Sequence, residues 1–324
     1  MTTVDTNLFG EQITGPIMVG RDVLFSVFKE AICGISASEL VSMMYSPYEA
    51  IIDYAELCRG KKTGEKISML FNPHRYETGT NKSKSIIDAF RTDSFLDGLA
   101  RATLFKSGKY KELLYQVLQL GINGVQYIND FPPHVAQAAY IKYNAKTILD
   151  PCAGWGGRMI GAASVGATYH GFEPATKTYN GLCRLGEFLK TFNNGFRFTV
   201  ERLPFEDAGE LGDYDFAFTS PPYYDTEIYS HEATNSCNRY ETFNSWCEMF
   251  YIPMVQKSLN AAPALVLNLG QRQYPLVDRL RNAGFCVTQI KSLSLSGASG
   301  LGRQTSGAEA FYEVRVTEAI RWNE

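Results

Sequence analysis

The chain has 324 residues, 45% of them hydrophobic, and a formal net charge of −3. That length allows one large domain or two modest ones, and the apolar fraction can fill a sizeable core. No apolar run approaches the roughly 18 residues of a membrane span, the stretch Met1 to Gly15 has no signal-peptide core, and seven scattered cysteines without a C-x-x-C pair fit reduced thiols rather than a disulfide framework or a zinc site.

From about Asp22 to Arg59 the texture is helical, with Val23-Leu24-Phe25, Val27-Phe28, Ile32, Leu40-Val41 and Met43-Met44, and Tyr110 to Leu120 repeats it. Charge is concentrated beside these helices. Between Arg59 and Lys111 stand twelve basic residues against five acids, so the remainder of the chain is strongly acidic. A cationic patch on an acidic protein suits phosphate contacts on one face, with Lys61, Lys62, Arg75, Lys82 and Lys84 as candidates. Within it, Phe71-Asn72-Pro73-His74-Arg75-Tyr76 mixes aromatic, amide and guanidinium groups suited to stacking on bases or reading them. The four histidines, His74, His134, His170 and His231, show no ligand spacing, and no metal is expected.

From Ala145 onward strands and helices alternate as in a doubly wound parallel sheet. Thr147 to Asp150 reads as a strand, followed by the glycine-rich turn Pro151-Cys152-Ala153-Gly154-Trp155-Gly156 and a helix opening at Gly157-Arg158. Glycines let a ligand approach the backbone, and the helix start offers free N–H groups. The spacing is not G-x-G-x-x-G and no phosphate-loop Lys-Ser/Thr follows, which disfavours a dinucleotide or ATP. Cys152 reads as a small residue that fits the turn. A second strand, Tyr169 to Glu173, ends in a carboxylate that can take both hydroxyls of a ribose. The third, Phe196 to Val200, leads to Phe205-Glu206-Asp207, a clamp for an adenine ring and its amine.

The fourth strand, Asp215 to Thr219, stops at Ser220-Pro221-Pro222-Tyr223. Proline has no N–H, so consecutive prolines leave carbonyls without intrachain donors. With a hydroxyl before them and an aromatic ring after, the loop can accept two hydrogen bonds from an exocyclic amine and stack a planar ring. Thr242 then caps a helix with Phe243, Trp246, Cys247 and Phe250 on one face. Ala264 to Leu269 is the fifth strand, Leu276 to Ala283 a helix, and Cys286 to Lys291 with Ala310 to Val316 a closing antiparallel pair. The Gly/Ser-rich connection Ser294 to Gly307, with Arg303 and Gln304, is placed to fold over a large substrate.

In that order, the Asp150-to-Gly157 loop, Glu173, Glu206/Asp207 and Thr219-Ser220-Pro221-Pro222-Tyr223 resemble the S-adenosylmethionine-dependent DNA amino-methyltransferases, which methylate cytosine N4 or adenine N6. The run Tyr224 to Ser230, with Asn235 to Tyr240 and Trp246, is similar to a phage and bacterial branch, in which the counterpart of Asn129-Asp130-Phe131-Pro132-Pro133-His134-Val135 closes over the methionine end of the cofactor. The resemblance covers roughly residues 125 to 290. It implies a Rossmann-like methyltransferase sheet over 126–324; the segment at 1–125, which it does not cover, reads from its helical texture and charge as a basic, mostly helical, DNA-contacting segment. It also implies S-adenosyl-L-methionine held by Phe131, Pro132, Asp150, Cys152, Ala153, Gly154, Gly156, Glu173 and Glu206 or Asp207, and a double-stranded DNA partner, which Arg303 of the Gly/Ser-rich connection is then also expected to contact. Catalysis then falls to Ser220, Pro221, Pro222 and Tyr223 on a flipped base, with cytosine N4 expected over adenine N6 because the Ser form is commoner in the cytosine branch. The location expected is the cytoplasm of a bacterial or phage-infected cell. The rival readings are a methyltransferase for a protein glutamine or an RNA base, and a non-catalytic cofactor- or DNA-binding regulatory module.

Overall fold

The computed structural model describes residues 20–79, 84–105, 130–226, 228–270, 274–293 and 309–317. The expected segment Tyr110 to Leu120, the connection Ser294 to Gly307, and the candidate contacts Lys82 and Arg303 lie outside the described residues. The short apolar runs become strands β1 Thr147–Asp150, β2 Thr168–Phe172, β3 Phe198–Glu201, β4 Phe216–Thr219, β5 Leu265–Leu269, β6 Phe285–Gln289 and β7 Ala310–Val316. They form one sheet in the order β3-β2-β1-β4-β5-β7-β6. The first five are parallel, and β7 runs antiparallel between β5 and β6. This is the doubly wound α/β architecture read from the alternation. The third strand starts at Phe198 rather than Phe196, because Phe196 closes a turn, donating its N–H to the Asn193 carbonyl at 2.9 Å.

Burial follows position in the sheet. Central β4 and β5 are buried at every residue, as uninterrupted apolar runs covered on both faces must be, whereas edge strand β6 is buried only at Phe285 and Val287. Alternation sends Ile148, Tyr169, Phe216, Phe218 and Phe311 to one core and Leu149, Phe172, Ala217, Tyr312 and Val314 to the other. The first core is covered by helices α7 Pro133–Lys142, α8 Gly157–Val165 and α9 Thr176–Phe192.

The second core is covered by Trp246, Phe250 and Tyr251, helix α10 Ile252–Ala261 and helix α11 Leu276–Asn282. Thr242 caps the first of these segments as expected, its hydroxyl accepting the Ser245 N–H at 3.1 Å. The helix then widens into a π-turn over Cys247–Tyr251. Pro253 has no N–H for the Met249 carbonyl, and the shifted ladder, with Ile252 N–H bonded to the Cys247 carbonyl, accommodates that loss. Each large side chain fully buried here contributes about 1.5–3 kcal/mol.

The N-terminal helices are α1 Arg21–Ile32, α2 Ala37–Met44, α3 Pro47–Cys58, α4 Lys66–Phe71, α5 Ile86–Phe90 and α6 Asp93–Phe105. Ser36 and Ser46 start α2 and α3 with capping boxes to Glu39 and Glu49. Phe28, Leu40, Phe90, Leu96 and Leu99 form a core of their own. Ala50, Tyr54, Leu57 and Ile67, however, belong to the first core of the sheet, so α3 and α4 are packed on the α/β body.

Candidate active site

The parallel order places β1 between β2 and β4, with chain connections departing to opposite sides. In open α/β sheets the crevice at such a point, beyond the carboxyl ends of the strands, is where ligands bind. Both singled-out loops leave there, Pro151 to Gly156 from β1 and Ser220 to Tyr223 from β4. A bond from the Cys152 N–H to Thr219 Oγ1, at 3.1 Å, ties them together.

Asp150 organises the β1 loop from within. Fully buried, its carboxylate accepts from Arg158 Nε at 2.8 Å, from the Tyr169 hydroxyl at 2.7 Å and from the Cys152 N–H at 3.3 Å. Arg158 also donates to the Cys152 carbonyl and lies over the Phe131 ring. Desolvation pushes the Cys152 thiol well above its ordinary value, so it stays protonated. Gly154 and Gly156 have φ of 56° and 95°, the left-handed region that side chains rarely adopt. Their surroundings differ. A methyl on Gly156 would meet Leu185 Cδ2 at 2.6 Å, whereas one on Gly154 would find nothing nearer than 3.9 Å, so the backbone at Gly154, beside Ala153, borders open space.

Glu173 stands where β2 ends. Its carboxylate accepts the Ala175 N–H at 2.8 Å and the Gly154 N–H, bridging the β1 and β2 loops. Burial pushes it up to about 7 despite those two bonds. After β3, the turn Phe205–Asp207 is held by Lys257, whose ammonium donates to the carbonyls of Glu206 at 3.0 Å and Ala208 at 2.7 Å. Arg239 takes Asp207 with two bonds, of 2.7 and 2.8 Å. Tyr240 donates to Glu206 Oε1 at 3.0 Å, while Glu206 Oε2 is buried with no partner among the described residues. Of the two acids, Glu206 is the one with a buried oxygen that has no partner among the described residues. Phe131 stands edge-on to Phe218 at 5.3 Å, and Pro132 precedes α7, so this segment closes the base of the β1 loop.

The Ser220 loop is braced by β5 and β7. Asn268 Nδ2 lies 3.5 Å from Ser220 Oγ and donates to Glu309 Oε2 at 2.7 Å. The Tyr223 hydroxyl donates to the Asn268 carbonyl at 3.2 Å, and Gly270 faces the Tyr223 ring, where a methyl would meet Cε2 at 3.1 Å. Pro221 is buried and Pro222 partly so. Tyr224, at φ 56°, is a non-glycine residue in the left-handed region, held by its hydroxyl on the Glu241 carbonyl at 2.6 Å and by ring contacts to Phe243, Trp246 and Tyr274. Sequence reading missed Asn268, Glu309, Arg239 and Lys257. The one available signal was an amide inside the apolar run of β5.

The DNA-facing candidates divide. Arg75 is a correction: 1% exposed, it pairs with Asp130 at 2.9 Å and lies over Trp155 of the β1 loop. It cannot reach a phosphate from there. Within the surrounding segment Asn72 donates to the Trp155 carbonyl at 3.1 Å and Tyr76 is buried, so these two support the β1 loop, while His74 is half-buried. Lys61 and Lys62 are exposed, Lys61 with Glu56 at 2.6 Å. Lys84 lines a cleft of about 450 Å³ with His74, Lys177, Tyr229, His231 and Glu232. The cleft adjoins the β1 loop, since Trp155 sits edge-on to both His74 and Tyr229. Among the described residues no group of three His, Cys, Asp or Glu side chains converges as a metal site, and no helix is long and apolar enough to cross a membrane.

No protein-family model matches the chain, and no curated protein matches it. Solved structures do. TrmN from Thermus thermophilus aligns with a TM-score of 0.37 and 15% identity over 58% of this chain and 49% of its own, so the match spans about half of the TrmN chain. Magnesium protoporphyrin IX methyltransferase from Synechocystis PCC 6803, solved with bound SAM, aligns at 0.39 and 12% identity over 72% and 95% of the two chains. A SAM-dependent O-methyltransferase from Thermotoga maritima aligns at 0.39 and 11% identity over 59% and 68%. At this level of likeness the activities of those proteins are theirs, and the function of this chain is read from its own residues.

Proposed function

We propose that this chain transfers a methyl group from S-adenosyl-L-methionine to the exocyclic amine of a DNA base, cytosine N4 in preference to adenine N6. The observation that carries the reading is the placement of Ser220-Pro221-Pro222-Tyr223 beside the β1 loop at the sheet's crevice, tied to it through Thr219 and Cys152. The residues present fit the cofactor: Gly154 borders open space, Glu173 offers a carboxylate to a ribose diol, and the orphaned Glu206 Oε2 can accept from an adenine amine. Bound there, it would supply an electrophilic methyl group on a sulfonium sulfur, whose C–S bond would give way to the new N–C bond while the amine would lose a proton.

The protein's part is positioning and electrostatics. A base amine is a poor nucleophile because its lone pair is delocalised into the ring. N–H bonds to the Ser220 hydroxyl and the Pro221 carbonyl localise that pair, and Tyr223 stacks on the base. Taking the base out of a duplex costs a few kcal/mol. The exposed Lys61 and Lys62 are suited to the flanking phosphates.

The test is nucleoside mass spectrometry of DNA and RNA from cells expressing the wild type or the Ser220→Ala/Tyr223→Ala double variant. A methylated amine base in DNA, present only with the wild type, is expected. Modified RNA alone, or no modified base with the protein folded and DNA bound, would move the RNA, protein-glutamine or regulatory reading ahead.

A further inference from the structure

Strand β5, Leu265–Leu269, is apolar at every residue but one. The exception, Asn268, is 2% exposed, and an apolar residue would fill that place without a desolvation cost. Its carboxamide has one amine and one oxygen to satisfy. The amine is used, on Glu309 Oε2 at 2.7 Å and facing Ser220 Oγ at 3.5 Å. The oxygen has no partner among the described residues. A buried acceptor left unpaired costs about 1–3 kcal/mol, and such an atom calls for a functional account. Asn268 also touches both ends of the amine loop, Ser220 through its side chain and Tyr223 through its carbonyl.

We propose that Asn268 is a further catalytic residue whose carboxamide oxygen accepts one N–H of the substrate amine. The inference rests on reading the Ser220 loop as an amine site. Glu309 sets the orientation, because turning the amide over would place its oxygen against a carboxylate oxygen. Glu309 is itself held by the bond from Asn268 at 2.7 Å, with the Tyr223 hydroxyl beside its carboxyl. The chemistry favours the amide over the hydroxyl: a carboxamide oxygen carries no proton and offers two lone pairs, whereas the Ser220 oxygen must also place its own hydrogen. Asn268 Oδ1 then shares with the Ser220 hydroxyl the N–H that the Pro221 carbonyl does not take. Ser220, which both donates and accepts, is then able to serve the amine or the ring nitrogen beside it.

Asn268→Leu fills the space without an acceptor, Asn268→Ala removes the group without adding bulk, and Asn268→Asp, made together with Glu309→Gln so that a donor still faces the carboxylate and no two carboxylates meet, keeps acceptor oxygens. Methyl transfer is followed with labelled S-adenosylmethionine and plasmid DNA from methylation-free cells, cofactor affinity by calorimetry and folding by thermal melting. Loss of one preorganised partner of developing charge lowers kcat by about a hundredfold or more. That drop is expected for Asn268→Leu and Asn268→Ala, with cofactor affinity and KM for DNA within about twofold of wild type, and with at least about tenfold recovery in Asn268→Asp with Glu309→Gln. A purely structural role would move the melting temperature and KM and show no rescue by Asp, which overturns the inference. Wild-type rates in a folded Asn268→Ala overturn it alone, whereas no DNA methylation by the wild type overturns the amine-site reading with it.

Discussion

Replacing Glu173 with glutamine perturbs the junction of the two cofactor-side loops while leaving an oxygen to accept their N–H groups. The wild-type carboxyl is pushed by burial from an ordinary 4.5 up to about 7, against bonds from Ala175 and Gly154. A folded-state pKa above the unfolded one means the native protein holds the proton longer. The associated stability is fully present below the ordinary value and is lost as pH rises through about 7. A gap of that width, at about 1.4 kcal/mol for each tenfold change in proton affinity, sets the full swing at roughly 3 kcal/mol. Glutamine does not ionise, so the stability of Glu173→Gln relative to wild type should improve by about 2–3 kcal/mol between about pH 5 and about pH 8. Urea unfolding of both proteins at the two pH values measures it. Other raised groups, such as Glu65 at about 8, are common to both proteins and cancel in the difference. A stability difference that stays constant with pH would refute the reasoning. The same variant should bind S-adenosylmethionine more weakly by roughly 1–3 kcal/mol, the range for losing a charged hydrogen-bond partner.

Arg75→Ala leaves Asp130 buried without its cation, and urea unfolding should show a loss of about 3–5 kcal/mol, with DNA affinity per folded molecule unchanged. A stable Arg75→Ala that binds DNA less well would restore Arg75 to the DNA-facing surface. Reversing charge together at Lys61, Lys62 and Lys84 should weaken DNA binding and reduce its salt slope by about 0.9 for each phosphate no longer neutralised. Equal slopes for variant and wild type would place the DNA elsewhere.

Several local features were legible because their causes are local. Alternation and apolar runs marked strands β1, β2, β4, β5 and β7 to within a residue or two, since side-chain period is a property of consecutive residues. The Thr242 cap was legible for the same reason. The π-turn after it was not, because Pro253 disrupts the ladder one turn upstream of its own position. Nor was the fate of Arg75. Charge counting treats every guanidinium as surface, and only the fold shows that Asp130, fifty-five positions away, draws this one inside.

By itself the sequence determined where the chain is extended or helical, that two loops carry glycines or prolines at strand ends, and which hydroxyl, carboxylate and ring stand in them. Tertiary structure decided which of those groups are still available. Packing consumed Asp150 on Arg158 and Tyr169, engaged Asp207 with Arg239, and left Glu206 Oε2 and Asn268 Oδ1 without partners among the described residues. It also inserted β7 between β5 and β6, bringing Glu309 beside Asn268. A hydrogen bond needs a donor and an acceptor within about 3 Å, and for residues far apart in the chain only the crossing of strands sets that distance.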